Sequence, residues 1–76
     1  MKTYSVFNAG SNLLLEDINL IPGTSPKSAI ENFIHKKVKR TTDNYEIDFI
    51  IEEVKPLENG NFLRMAGKPR LCYAIL

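Results

Sequence analysis

The length, composition and charge of this chain exclude several classes of protein before any motif is considered. Its 76 residues suffice for one domain with a single small core, and 43% hydrophobic with 25% charged residues is an ordinary globular composition. The formal net charge of +1 gives no general attraction to nucleic acid or acidic membranes. A lone cysteine, Cys72, cannot form an internal disulfide, and no apolar run approaches ~20 residues. We therefore expect one domain over residues 1–76, cytoplasmic and not associated with a membrane.

Two segments near the start of the chain predict a β-hairpin. Residues 2–7 are β-rich, residues 8–12 favour a turn, and residues 13–20 again suit an extended strand. We expect Ile21, Pro22 and Gly23 to end the hairpin after Leu20, because proline cannot continue a central hydrogen-bonded ladder.

Residues 23–40 predict one capped amphipathic helix that ends in a basic cluster. Ser25 is the expected N-cap, followed by proline, although Ser28 and Glu31 offer a competing capping box three residues later. The apolar side chains at helical spacing are Ala29, Ile30, Phe33, Ile34 and Val38. Lys37 would point into that apolar stripe. Either the helix ends before Lys37, or its stem lies along the core and its ammonium reaches solvent.

Three extended segments are predicted after the helix. Residues 45–54 alternate between apolar and mostly acidic positions, and Pro56 should stop this strand. The Asn-Gly pair at 59–60 predicts a turn, and residues 61–65 predict the returning strand. Residues 71–76, apolar on both faces, form the last strand after a basic turn.

The element order is therefore β-β-α-β-β-β. The fold class is α+β: two layers, with a mainly antiparallel sheet and one helix packed on one of its faces. The last strand should lie inside the sheet because both of its faces are apolar. The alternative is that the residues from Leu71 to Leu76 form a homodimer interface.

Catalytic residues are hard to find in this sequence. His35, the only histidine, lies on the polar side of the predicted helix, where a solvated residue near the C-terminus is a better account than a general base. No nucleophile elbow, His-Glu-x-x-His motif or phosphate-binding glycine loop occurs. Cys72 is expected to pack as a small hydrophobe. We predict no enzymatic activity, no catalytic residue, no cofactor and no metal site.

Basic residues supply the first candidate binding surface. It would lie at the helix end and contact phosphates, extended by the last basic turn if that turn lies nearby. The alternative is a helix C-terminus whose cations complement the macrodipole. The candidate residues of this surface are Lys36, Lys37, Lys39, Arg40, Arg64, Lys68 and Arg70. For binding to another protein, the polar helix face would consist of His35, Lys36, Lys39 and Arg40.

Acidic residues supply the second candidate surface. Glu46, Asp48 and Glu52 would form a stripe on one face of the strand at 45–54. The stripe would either face a basic partner or be neutralised by a neighbouring strand, with Arg64 as the obvious cation. Alternate strand positions lie ~6–7 Å apart, so the stripe alone does not close an oxygen cage around a metal. Segregated charge with almost no net charge favours oriented docking to another protein.

Residues 20–32 resemble HicB-type antitoxins. Leu-Ile-Pro-Gly, followed by Ser-Pro-Lys-Ser-Ala-Ile-Glu-Asn, is similar to that family's passage from a hairpin ending in Leu-Pro-Gly into a Thr-x-x-Glu-Ala-x-x-Asn-Ile helix. This chain has one extra residue inside Leu-Pro-Gly, and no helix-turn-helix or ribbon-helix-helix extension follows. The family's DNA-binding role therefore does not carry over to this chain. The element order is also similar to small phage-encoded inhibitors, including anti-CRISPR proteins. That similarity implies occlusion of a surface on a larger partner.

The primary prediction is a small non-enzymatic protein-binding or regulatory domain of prokaryotic or phage character. It would bind another protein through the polar helix face and the charged strand face. The first alternative is a nucleic-acid-binding module that uses the basic cluster. A further alternative is a small enzyme or enzyme subunit with His35 in its site.

Overall fold

The computed structural model describes residues 1–9 and 18–76, which form an α+β fold. In chain order the elements are β1 (Lys2–Asn8), β2 (Asn19–Gly23), α1 (Pro26–Ile34), β3 (Val38–Arg40), β4 (Phe49–Pro56), β5 (Phe62–Arg64) and β6 (Leu71–Ile75). The strand pairings are antiparallel in the order β2-β1-β4-β6-β3, and β5 pairs with β4. The predicted class is confirmed, whereas the predicted element order lacked β3.

The hydrophobic core lies between α1 and one face of the sheet. Residues directly opposite each other on neighbouring strands point to the same face, as Val6 and Ile51 do beneath the helix. The buried members of this core are Tyr4, Val6, Ile21, Ala29, Ile30, Val38, Phe49, Ile51 and Tyr73. The other face carries the half-buried cross-strand row Phe7, Ile50 and Cys72. The free thiol of Cys72 therefore lies among apolar neighbours, as predicted.

Local signals set the start of α1. The Ser25 hydroxyl accepts a hydrogen bond from the Ser28 N–H at 3.2 Å, and Pro26 is the first helical residue, so the predicted N-cap is confirmed. The competing capping box does not form. The Glu31 carboxylate instead accepts the Val38 N–H through Oε2 at 2.9 Å, which joins the helix to the following strand.

The end of α1 was predicted wrongly. The helix stops at Ile34, and His35 adopts the left-handed conformation with φ 59°. Val38–Arg40, assigned to the helix from its spacing, is β3 and pairs with β6. This pairing links residues far apart in sequence, so local periodicity does not report it. Of the two alternatives for Lys37, the helix ending before it is correct.

The predicted end of the first hairpin was also wrong. The hairpin itself exists, but β2 continues through Pro22 to Gly23. Because β2 is an outer strand of the sheet, proline can turn its missing donor toward the open side without breaking the ladder. The predicted turn at 8–12 and the strand assignment at 13–20 fall largely on residues 10–17, outside the described residues.

The third predicted strand begins later than its alternation indicated. Residues 44–46 form a turn, in which Asp43 Oδ1 accepts the Tyr45 N–H at 2.9 Å and the Asp43 carbonyl accepts the Glu46 N–H. Tyr45, placed on the buried face by the pattern, is 99% exposed. The strand, β4, runs from Phe49 and stops at Pro56 as predicted.

β5 and β6 share one edge of β4. β6 pairs with residues 49–51 and β5 with residues 54–56, while β1 occupies the other edge. The predicted turns contain Gly60 and Gly67, whose positive φ values of 86° and 79° suit glycine. Since β6 lies between β4 and β3, the inner-strand prediction is confirmed. The homodimer interface at residues 71–76 stays a prediction.

Candidate functional site

The structure divides the predicted basic cluster between a loop and an edge strand. Lys36 and Lys37 lie in the connection from α1 to β3, and not on the helix. Lys39 and Arg40 lie in β3, where successive side chains point to opposite faces of the sheet. The cluster is therefore not a single helical surface, and its interpretation as cations that complement a helix dipole is wrong for the strand residues.

Half of this cluster is neutralised within the chain. Lys37 Nζ lies 3.9 Å from Glu31 Oε1, and Lys39 Nζ lies 3.7 Å from Glu46 Oε1. Within the described part of the chain, Lys36 and Arg40 have no ion-pair partner within 4.0 Å. Of the four cations in this cluster, Lys36 and Arg40 are therefore the two that are not paired with a described carboxylate.

The predicted acidic stripe does not form a free surface. Glu46 lies in a turn and accepts the Thr41 hydroxyl, and Asp48 Oδ2 accepts the Ile75 N–H at 2.8 Å. Glu52 is in β4, with Arg64 Nε 3.3 Å and an Arg70 nitrogen 4.0 Å from its Oε1. The Arg64 pairing was the alternative derived from the sequence. These carboxylates join neighbouring segments of the chain to one another.

The second basic group surrounds β4 at the gap between β5 and β6. Arg64 and Arg70 pair with Glu52, while Lys2 and Lys68 lie 3.6 and 3.8 Å from Glu53 Oε1. Glu52 and Glu53 are consecutive, so they point to opposite faces and hold cations on both sides of the sheet.

This second group does not extend the first. Arg70 directly precedes β6, whereas the N–H of Leu76, which follows β6, donates to the Lys37 carbonyl at 3.0 Å. Lys37 therefore lies at the opposite end of β6 from Arg70, and Arg40, opposite Tyr73, lies about 10 Å along β6 from Arg70. Lys68 instead lines a cavity of ≈ 170 Å³ with Pro26, at the start of the helix. The predicted patch is thus two small groups.

His35 occupies a structural position. It is the exposed C-cap of α1, and its N–H donates to the Glu31 carbonyl at 2.9 Å. Over the described residues, no group of three or more histidine, cysteine or acidic side chains is arranged to hold a metal ion. Within the described part of the chain, no carboxylate forms an ion pair with the His35 ring.

Two buried tyrosines have altered acidity. Burial raises the pKa of the Tyr4 phenol, opposed by the Lys2 ammonium and reinforced by the Glu53 carboxylate. Burial also raises the pKa of the Tyr73 phenol, opposed by Arg40, which lies directly across from it on β3. Both rings belong to the core, so these shifts report packing under the helix.

An apolar groove lies between β2 and α1, on a side of the molecule for which the sequence predicted no site. It has a volume of ≈ 300 Å³. Its apolar lining consists of Met1, Ile21, Pro22, Ala29 and Phe33, and its polar lining includes Thr24, Ser28 and Asn32. Phe33 is 44% exposed, and none of the described lining side chains is charged. We call this feature the β2 groove.

Among the described residues, no strand pairs with the outer side of β2 beside this groove. The Ala9 N–H donates to the Asp48 carbonyl at 2.8 Å, so odd-numbered residues of β1 direct their hydrogen bonds to β4 and even-numbered ones to β2. Tyr4 then forms a hydrogen-bonded pair with Ile21. By the same alternation, Leu20 and Pro22 turn their main-chain groups outward. The open edge offers the Leu20 N–H and carbonyl and the Pro22 carbonyl.

Two features of the sequence, taken together, could have predicted this groove. Pro22 is typical of an outer strand, which marks β2 as an open edge. Gly23 permits close packing: a Cβ placed there would lie 2.5 Å from the Ala29 Cβ. Together they place α1 close beside an exposed strand, but Phe33 reads as core from its spacing, so the groove was missed.

Comparison with protein-family models, curated proteins and solved structures found no match to this chain. The resemblances to HicB-type antitoxins and to small phage-encoded inhibitors therefore stay predictions. In the described ranges 1–9 and 18–76, no helix has the length and hydropathy needed to span a bilayer.

Proposed function

We propose that this chain is a non-enzymatic protein-binding domain whose docking surface is the β2 groove. The observation that carries the proposal is an apolar groove, with no charged side chain in its described lining, beside an edge of β2 that no described strand pairs with. An extended segment can add to such an edge through main-chain hydrogen bonds and place alternate side chains in the adjoining groove.

The proposed contacts follow from the β2 edge. A bound segment would accept from the Leu20 N–H and donate to the carbonyls of Leu20 and Pro22. Its side chains on the helix side would pack against Phe33, which is 44% exposed. Because the described lining has no charged side chain, the segment that fits is apolar and uncharged.

This proposal moves the binding surface away from the charges named by the sequence. Most of those charges form ion pairs or accept main-chain donors inside the molecule, so a partner would have to displace these contacts. Surface pairs of this kind contribute little affinity, whereas buried aromatic anchors contribute much.

A peptide selection tests the proposal. A random library of short displayed peptides is screened against the wild-type chain, and the winners are titrated while backbone amide NMR shifts are recorded. We expect the largest shifts at Leu20, Ser28 and Asn32. Phe33→Glu should weaken binding roughly tenfold or more, because it removes an aromatic anchor and adds a charge.

Tyr45→Glu is the matched control. It replaces an exposed aromatic side chain with the same charge, in a turn outside the groove. The proposal is overturned if selected peptides shift Lys39 and Arg40 instead, if Phe33→Glu binds like Tyr45→Glu, or if no peptide binds.

The nucleic-acid alternative stays a prediction with less support. Lys36 and Arg40 are the cations of the first basic group that pair with no described carboxylate, and the second group lies elsewhere along β6. Binding to mixed-sequence DNA or RNA at two salt concentrations tests it. A phosphate-binding surface requires a steep loss of affinity with salt and a further loss in Lys36→Glu with Arg40→Glu.

A further inference from the structure

We infer that the segment which fits the β2 groove is β2 of a second copy of this chain, so that two copies join through their β2 edges into one continuous sheet. This inference rests on the proposed function and names its partner. It is carried by the hydrogen-bonding pattern of the β2 edge and by the absence of charged side chains from the described lining of the groove.

The open edge of β2 is complementary to itself. Its one outward donor is the Leu20 N–H, since Pro22 has none. When two copies run antiparallel with their Ile21 residues opposite each other, Leu20 of each copy faces Pro22 of the other. Each Leu20 N–H then donates to the opposite Pro22 carbonyl, which gives two equivalent hydrogen bonds about a two-fold axis.

The electrostatics of the groove favour the same arrangement. In a two-fold interface every residue near the axis meets its own copy, so a charged patch would face a like charge. The described lining of the β2 groove has no charged side chain, although 25% of the chain is charged. With a formal net charge of +1, two copies also carry almost no overall repulsion.

The arrangement explains the exposed aromatic side chain. Antiparallel pairing of identical strands keeps residues of one parity on one face, so both α1 helices lie on the same face of the joined sheet. The β2 groove of each copy is then the space between the two helices. Phe33, 44% exposed in the single chain, would be covered there by the second copy.

Sedimentation velocity over a concentration series provides the test. We expect reversible dimers in the wild type. Leu20→Pro removes the outward N–H at a position where an outer strand tolerates proline, and it should weaken dimerisation about tenfold or more relative to Leu20→Ala. Leu20→Ala is the matched control because it loses the same side chain and keeps the N–H.

A pair of variants with opposite charges provides a second test that does not depend on correct folding of the proline variant. Asn32→Glu and Asn32→Lys each place a charge on the exposed helix side of the groove, where it would meet its own copy. Each variant alone should be monomeric, and an equimolar mixture should recover dimers. Circular dichroism confirms that both remain folded.

The outcomes separate this inference from the proposed function. A wild type that stays monomeric, a dimer equally stable in Leu20→Pro and Leu20→Ala, or a mixture that remains monomeric overturns the second-copy inference. None of these results alters the peptide selection, which tests the groove itself. Absence of peptide binding overturns the docking of other segments in the groove, whereas a dimer that is weaker in Leu20→Pro than in Leu20→Ala still supports the second-copy inference.

Discussion

Two of the outer strands of the described sheet, β2 and β3, differ in what their outward main-chain groups meet. At β3, the Leu76 N–H donates to the Lys37 carbonyl and the Thr41 N–H donates to the Cys72 carbonyl. Odd-numbered residues of this strand therefore bond to β6, and the main-chain groups of Val38 and Arg40 point away from the sheet. The outward Val38 N–H is taken by Glu31. β2 carries no charge, and its outward Leu20 N–H lies beside an apolar groove.

The difference shows how a small sheet controls its own pairing. An edge strand that is short, cationic and blocked by a carboxylate resists addition of another strand, as β3 does. Proline removes one donor from β2 but leaves a pattern that another strand can match. The two edges therefore differ in the Glu31 carboxylate, which accepts the outward Val38 N–H of β3.

The largest expected effect on stability comes from disrupting the packing of α1 on β2 at Gly23. In Gly23→Ala the added Cβ would lie 2.5 Å from the Ala29 Cβ and 2.9 Å from the Ala29 Cα, so the helix must move away from β2. We expect a loss of about 3 kcal/mol in the free energy of unfolding, the upper part of the usual range for overpacking. Urea denaturation measures it.

Gly67→Ala is the control for this substitution. Nothing lies within 4 Å of a Cβ there, but φ is 79°, so only backbone strain of about 1 kcal/mol is expected. A Gly23→Ala protein at least as stable as Gly67→Ala would contradict the close packing of α1 on β2.

The next effect tests the protected edge at β3. Glu31→Ala leaves the Val38 N–H without its carboxylate and removes the contact to Lys37. A hydrogen bond to a charged acceptor contributes about 2 kcal/mol, which is the loss expected in the free energy of unfolding. Hydrogen exchange at the Val38 amide should also become faster.

Glu58→Ala serves as the comparison, because Glu58 is exposed and has no ion pair with a described residue. Equal stability of the two alanine variants, with unchanged exchange at Val38, would mean that the carboxylate does not block the β3 edge.

A smaller effect of opposite sign is expected at the helix end that leads into β3. His35 adopts φ 59°, a conformation that costs a non-glycine residue about 1 kcal/mol. His35→Gly should raise the free energy of unfolding by up to about 1 kcal/mol, since glycine also gives the unfolded chain more freedom. Thermal unfolding checks this, with His35→Ala expected to be no more stable than the wild type.

The smallest effect concerns the pH dependence of packing next to β3. Because burial raises the folded pKa of Tyr73 above 10.0, the stability due to its neutral phenol is complete below pH 10 and is lost as the pH rises through the folded value. Denaturation midpoints from pH 8 to pH 11 should therefore fall less steeply in Tyr73→Phe. Identical slopes in the two proteins would contradict the raised pKa.

How much the sequence predicted depends on how local each signal is. The start of α1 follows from Ser25 and Pro26, which act within one turn, and it was predicted correctly. Its end depends on β3 pairing with β6, more than thirty residues away, so the helical spacing of Val38 gave the wrong element. The start of β4 had a local signal, the Asp43 turn, which the alternation concealed.

The candidate sites show the same division. The pairing of Glu52 with Arg64 was foreseen, because two predicted strands joined by a tight turn must lie side by side. The split of the basic residues into two groups depends on where β6 begins and ends relative to α1, which is a property of the whole sheet. To predict the β2 groove, it was necessary to know that β2 is an outer strand and that Phe33 lies at the edge of the core.

The position of β4 has a consequence for how this chain reaches its fold. β4 pairs with β1, β5 and β6, and its contacts with β1 join positions about fifty residues apart in the chain. Closing so long a loop is entropically slow, and the contact order is high for a small domain. We expect folding in milliseconds or slower, with the β4–β5 turn forming early and the β1–β4 pairing limiting the rate.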